Sequence, residues 1–200
     1  MEYKISNMKE IIINHILIPS LQRLYQIDFD NIKNGVSERN ICARLSLHME
    51  NLMREYDYEH NAKFFEHYYA DVEYNRMGNG EMKKYENSEH RPQYMVSDLL
   101  IQSRGQERNL LAVEMKRTGN KRHVDDDKKR LESLVSSPGL QAISNQCVHD
   151  TLVGAFIEYA PNGIKIDFFE NVNGVGMQTK HLEYGYDEIV VIDDVKHITI

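Results

Sequence analysis

The chain is 200 residues long, 41% hydrophobic, and carries a formal net charge of −7. Its length and apolar content suit one domain with a sizeable core, and no Pro-, Gly- or Ser-rich linker divides it. The acidic balance argues against a nucleic-acid substrate, since phosphate binding normally shows a basic footprint, and no apolar run approaches the roughly 20 residues needed to cross a bilayer.

The stretch Ile11 to Pro19 is interrupted by Asn14 and His15 and is followed by no small-residue cleavage site, so no signal peptide is expected. Cys42 and Cys147 lie far apart with no C-x-x-C spacing and read as buried thiols of a reducing compartment. The expectation is a cytoplasmic protein with no membrane partner.

In chain order, Met8 to Gln26 reads as an amphipathic helix that Pro19 kinks or divides. Ser37 to about Tyr56 is a second helix. Ser37 suits its N-cap, and Ile41, Cys42, Leu45, Met49, Leu52 and Met53 repeat at helical spacing. Tyr68 to Arg76 reads as a strand, and the polar stretch Met77 to Pro92 as a loop long enough to be mobile or functional. Tyr94 to Ser103 and Asn109 to Lys116 are short, apolar, β-rich runs joined by Arg104 to Arg108, which together predict an antiparallel hairpin. Asp125 to Ser136 reads as a helix stopped by Ser137, Pro138 and Gly139. Thr151 to Tyr159 and Gly163 to Phe169 predict two strands around a Pro161–Gly163 turn, with Glu188 to Asp193 and His197 to Ile200 as edge strands.

The hairpin carries the chemistry. A turn centred on Gln106 sets Asp98 opposite Glu114, with Cβ atoms about 5 Å apart, although a one-residue bulge would break that register. Glu114 and Lys116, two apart on one strand, face the same way. An E-x-K pair on a strand is usually a solvated ion pair. Here both strands are apolar around the charges, and a charge in such a strand must be paired, hydrogen-bonded or bound to metal. Two opposed carboxylates repel unless a divalent cation lies between them, and oxygen donors suit Mg2+ or Mn2+.

Further candidates surround this pair. Glu38 sits in the first turn of the second helix, either as a dipole-favoured residue or facing a cleft beside Ile41 and Leu45. Glu73 alternates with Asp71 and Asn75 along the predicted strand, as a carboxylate near the site or as part of a polar outer face. Arg39, Gln102 and Arg104 are candidates for phosphate contacts, and Arg104 also flanks the turn. Lys116, Arg117, Lys121, Arg122, His123, Lys128, Lys129 and Arg130 form a basic run, diluted by Asp125 to Asp127, that could meet a nucleic acid despite the net charge. The histidines lack zinc spacing, and no G-x-x-x-x-G-K-[ST] or G-x-S-x-G motif occurs. The aromatic cluster Tyr56, Tyr58, Phe64, Phe65, Tyr68 and Tyr69 reads as core or interface.

Five pieces in order, Ser37–Leu45, Val72–Arg76, Ser97–Gly105, Asn109–Lys116 and Asp127–Leu131, cover about half the chain. The set resembles the PD-(D/E)XK superfamily of restriction-endonuclease-like nucleases and, within it, a group of uncharacterised bacterial proteins. Ser97 stands where the superfamily has Pro, and Gln102 where the narrower group tends to have His. The resemblance implies an α/β restriction-endonuclease-like core, a mixed sheet flanked by helices, over residues 36–170. Residues 1–35 would form an N-terminal helical extension and 171–200 a C-terminal segment. It implies Mg2+- or Mn2+-dependent hydrolysis of phosphodiester bonds in nucleic acid, with DNA the expected substrate. Asp98, Glu114, Glu38 and Glu73 would hold the metal, and Lys116 would act on the phosphate or the attacking water. A catalytically inactive module binding nucleic acid or a protein is the alternative, and a homodimer is compatible with either.

Overall fold

The apolar N-terminal segment folds as one helical run: Ile5–Ile11 (α1), a π-helical turn over Ile12–Leu17, and Ile18–Ile27 (α2). Pro19 does not end it. Pro19 falls in the first turn of α2, directly after the π turn, whose wider winding gives the ring room against the preceding turn. A short helix, Phe29–Lys33 (α3), leads to the long Glu38–Glu59 (α4), whose N-cap Ser37 accepts a hydrogen bond from the Asn40 amide as expected. The computed structural model describes residues 5–73, 84–86, 92–94, 96–103, 109–136 and 151–191.

The strands are Tyr68–Val72 (β1), Lys84–Glu86 (β2), Pro92–Tyr94 (β3), Leu99–Ser103 (β4), Asn109–Arg117 (β5), Thr151–Ala160 (β6), Gly163–Val172 (β7) and Val175–Gly185 (β8). Val124–Val135 (α5) connects β5 to β6, and Tyr186–Val190 (α6) follows β8. Six strands form one mixed sheet in the order β1-β4-β5-β6-β7-β8, antiparallel except for the parallel β5–β6 pair that the α5 crossover makes possible. β2 and β3 form a separate hairpin.

Several sequence expectations are corrected here. The strand predicted to Arg76 ends at Val72, because Glu73 adopts the left-handed conformation (φ 52°); Tyr74 to Arg76 lie outside the described residues. The Met77–Pro92 loop contains β2 and reaches the start of β3. The run from Tyr94 is split between β3 and β4, so Asp98 stands at the entry to β4 rather than within it. The predicted strand at Glu188 is occupied by α6, and His197 to Ile200 lie outside the described residues. β8 and α3 carry no strong sequence signal. β8 is a mostly exposed edge strand with little apolar alternation to reveal it.

The sheet is covered on both sides, which is why β4 and β5 read as continuous apolar runs. Leu99, Ile101, Leu111, Val113, Met115, Val153, Ala155 and Ile157 face the helical layer that includes Ile12, Ile16, Leu21, Ile41, Leu45 and Met49. Leu100, Ala112, Phe156 and Phe169 face α5 and its Leu131, Leu134 and Val135. A bulge between Ile101 and Gln102 shifts the β4–β5 register on the turn side only. On the other side Leu99 pairs with Val113, the register that the sequence predicts; Asp98 and Glu114 are the residues next beyond that pair, and the Asp98 side chain is bonded to the Met115 amide.

α5 is pressed onto the sheet at Gly176, whose amide donates to Ser136 Oγ at 2.9 Å and where any Cβ would run into the Glu132 carbonyl. Gly176→Ala is therefore expected to push α5 outward and destabilise the protein by about 1–3 kcal/mol, as overpacking does. A thermal melt at wild-type temperature would show that the helix accommodates the methyl group.

Candidate active site

β5 delivers Glu114 and Lys116 to the α5 side of the sheet, and the entry to β4 delivers Asp98 beside them. Asp98 is fixed through its backbone and side chain. Its carbonyl accepts from the Glu73 amide at 3.2 Å, and its Oδ2 accepts from the Met115 amide at 2.8 Å. That bond holds the carboxylate against the strand bearing Glu114. Burial raises the Asp98 carboxyl above its usual range, opposed by the Met115 N–H and by Lys116.

Glu114 is fully buried, and burial pushes its carboxyl well above the usual range, with the Arg130 guanidinium pulling the other way. Arg130 Nε donates to Glu114 Oε1 at 2.9 Å and Nη2 to Oε2 at 3.3 Å, a two-pronged ion pair. Nη2 also donates to Asp127 Oδ1, one helical turn earlier on α5. Lys116 Nζ lies 3.1 Å from Asp127 Oδ2 and 3.8 Å from Glu38 Oε2. Burial works against the Lys116 charge, but Asp127, Asp98 and Glu38 outweigh it and raise its pKa.

Glu38 ties the start of α4 to the end of β5. Its Oε1 accepts from the Arg117 amide at 3.0 Å and from Asn120 Nδ2 at 2.8 Å. Both sequence readings of Glu38 therefore hold in part: it is a first-turn helix residue, and it faces the cluster. The Cys42 thiol, buried one turn along α4, is held un-ionised first by burial and then by the charges of Asp98, Glu114 and Glu38. Cys147 lies outside the described residues.

The side chains of other candidates pair outside the cluster. Glu73 turns to Arg39, with Nη2 to Oε2 at 3.0 Å, and both side chains are largely exposed. The β-alternation that would have aimed Glu73 at the site ends before it. Gln102 is four residues along the chain from Asp98, on the order of 13 Å at strand spacing, and donates to Asp71 Oδ2 at 3.0 Å. Arg104 lies outside the described residues. Within the basic run, Lys116 and Arg130 are committed to the cluster, Lys128 to Asp167 at 2.7 Å and His123 to Asp126 at 3.4 Å. Lys121, Arg122 and Lys129 are exposed, a smaller set than the basic run in the sequence suggests.

Asp127 and Arg130 are the site residues that pattern reading did not assign. In the sequence they appear only as members of the Asp127–Leu131 piece and of the charged run around it. The cluster then holds four carboxylates, Asp98, Glu114, Asp127 and Glu38, against two cations, Lys116 and Arg130, leaving two negative charges in excess when all are ionised. Among the described residues, no three His, Cys, Asp or Glu side chains form a ready-made metal cluster. Glu114 faces Arg130, Asp98 faces a backbone amide, and Asp127 is held between Lys116 and Arg130. Hard oxygen donors with an unbalanced charge of two nonetheless match the chemistry of Mg2+ or Mn2+. No family model matches the chain, and comparison with curated proteins and with solved structures finds no match, so the geometry of this cluster carries the functional argument.

Proposed function

We propose that this chain is a Mg2+- or Mn2+-dependent phosphodiesterase acting on nucleic acid, DNA being the expected substrate, with a core of the restriction-endonuclease-like kind. The observation that carries the reading is the convergence of Asp98, Glu114 and Lys116 on one side of a mixed sheet, in the register that the D…E-x-K spacing requires. Asp98 and Glu114 would hold the ion, with Asp127 and Glu38 near enough to share its charge; Glu73 has no part in this set.

Bound metal would supply a water of lowered pKa and positive charge beside the transferring phosphoryl group. Lys116, held between Asp127 and Glu38, keeps its proton and presents N–H donors to a phosphate oxygen or to the attacking water. Burial of Glu114 excludes bulk water from the ligand oxygens, so their charge is weakly screened. Single- and double-stranded DNA and RNA, each incubated with the protein in Mg2+ and in chelator, test the reading. Cleavage of at least one substrate in metal alone is expected. No cleavage with tight binding would favour the inactive-module alternative.

Lys121 and Arg122 are exposed and lie in the β5–α5 connection, a few residues after Lys116. Replacing both with Ala should weaken binding and lower the dependence of log affinity on log salt by about two phosphate contacts' worth. Anisotropy titrations in chelator at several salt concentrations read this slope. An unchanged slope would move the binding surface elsewhere.

A further inference from the structure

Arg130 occupies the position of a cation bridging two buried carboxylates. Its guanidinium takes both oxygens of Glu114, at 2.9 and 3.3 Å, and one oxygen of Asp127. The Glu114 and Asp127 side chains are 1% and 2% exposed, and that of Arg130 is 17% exposed. Without Arg130, a fully buried carboxylate would face Asp98 and Asp127 with no cation touching it, an arrangement that folded proteins avoid. A divalent ion at the same carboxylates would answer the same need. The two occupants exclude one another, because a guanidinium bonded to both Glu114 oxygens blocks the approach of a second cation and repels it at short range.

Resting on the metal-dependent reading above, we infer that Arg130 is the site's internal counter-ion, which closes Glu114 in the metal-free protein and must release it before a divalent ion binds. The placement of Arg130 allows this exchange. It lies three residues after Asp127 on the same helix, where the two side chains are neighbours, so the guanidinium can leave Glu114 and keep Asp127 as its anchor. Its partial exposure gives it a path outward that Glu114 lacks. The exchange weakens metal binding while keeping the empty site folded. Arg130 is thus a positioning residue that sets how much free ion is needed to load the site.

Calorimetric titration with Mn2+ alone at pH 8, on wild type, Arg130→Gln and Arg130→Lys, tests this, together with a melt of each metal-free protein. Arg130→Gln is expected to lower the metal-free Tm and to tighten Mn2+ binding by at least tenfold. Arg130→Lys keeps a competing charge but loses the two-pronged grip, and its affinity should fall between the two. A strut that merely holds the ligands in place would give the opposite sign. If wild type binds Mn2+ and Arg130→Gln binds equally or more weakly, the inference is overturned while the metal site stands. Binding by Arg130→Gln alone, with wild type silent, supports the inference. Silence in all three proteins sinks the inference and the metal-dependent reading together. If Arg130→Gln does not fold, Arg130→Lys decides: tighter binding supports the competition, and equal or weaker binding overturns it.

Discussion

Lys116→Ala is expected to reduce cleavage by about a hundredfold or more while leaving divalent-ion binding intact, the size of effect seen when an oxyanion-stabilising donor is removed. The ammonium is a donor and cannot ligate a metal, so its loss removes transition-state stabilisation without removing a ligand. The fold should survive, because Asp127 keeps Arg130 as a partner and Glu38 keeps its bonds to the Arg117 amide and Asn120. Metal affinity should rise modestly, since one of the two cations facing four carboxylates is gone. Lys116→Arg should rescue poorly: its planar fork cannot reproduce a compact point charge held between Asp127 and Glu38. Cleavage rates and Mn2+ affinity measured on the three proteins check this. Wild-type cleavage by Lys116→Ala would remove Lys116 from the chemistry.

The second large effect is at the carboxylates. Asp98→Asn and Glu114→Gln are each expected to abolish ion-induced stabilisation and to lower cleavage by about a thousandfold or more, which is roughly 4 kcal/mol of transition-state stabilisation. The two should differ in stability. In Asp98→Asn the new amide oxygen can still accept the Met115 N–H, so this variant keeps the metal-free Tm. From two opposed carboxylates alone, neutralising Glu114 would be expected to stabilise the metal-free protein. The Arg130 ion pair reverses that expectation: Glu114→Gln presents an NH2 group to a guanidinium and leaves a partly buried cation half-paired. Breaking one side of a buried pair costs about 3–5 kcal/mol, so above about pH 8, where Glu114 is ionised, Glu114→Gln should melt well below wild type without metal. Melts with and without Mn2+ read both quantities. Retention of the Mn2+ shift by both variants would remove the metal from this cluster.

What the sequence made legible follows from short-range geometry. Alternation along β5 and antiparallel pairing with β4 bring Asp98, Glu114 and Lys116 together; the Gln102–Asn109 pair departs by one residue from a turn centred on Gln106, and the bulge between Ile101 and Gln102 offsets that departure, so Leu99 meets Val113 as counted. Glu38 was visible because the Ser37 cap fixes where α4 begins. Asp127 and Arg130 were hidden in a charged run, three Asp followed by Lys-Lys-Arg, where a helix pattern tells which residues share a face but not what that face meets. Only the packing of α5 at Gly176 and Leu131 brings them over the sheet. Arg130 and Lys128 therefore read as basic surface when each is spent on a buried or half-buried carboxylate. Glu73 failed for a local reason, since nothing in Val72-Glu73-Tyr74 marks the left-handed turn that ends β1.

Anomalous scattering from crystals grown with Mn2+ locates the ion. One peak is expected about 2.1 Å from carboxylate oxygens of Asp98 and Glu114, with the Arg130 guanidinium withdrawn from Glu114. A map with no peak at these oxygens, and Arg130 still bonded to both oxygens of Glu114 at saturating Mn2+, would contradict the metal-dependent reading.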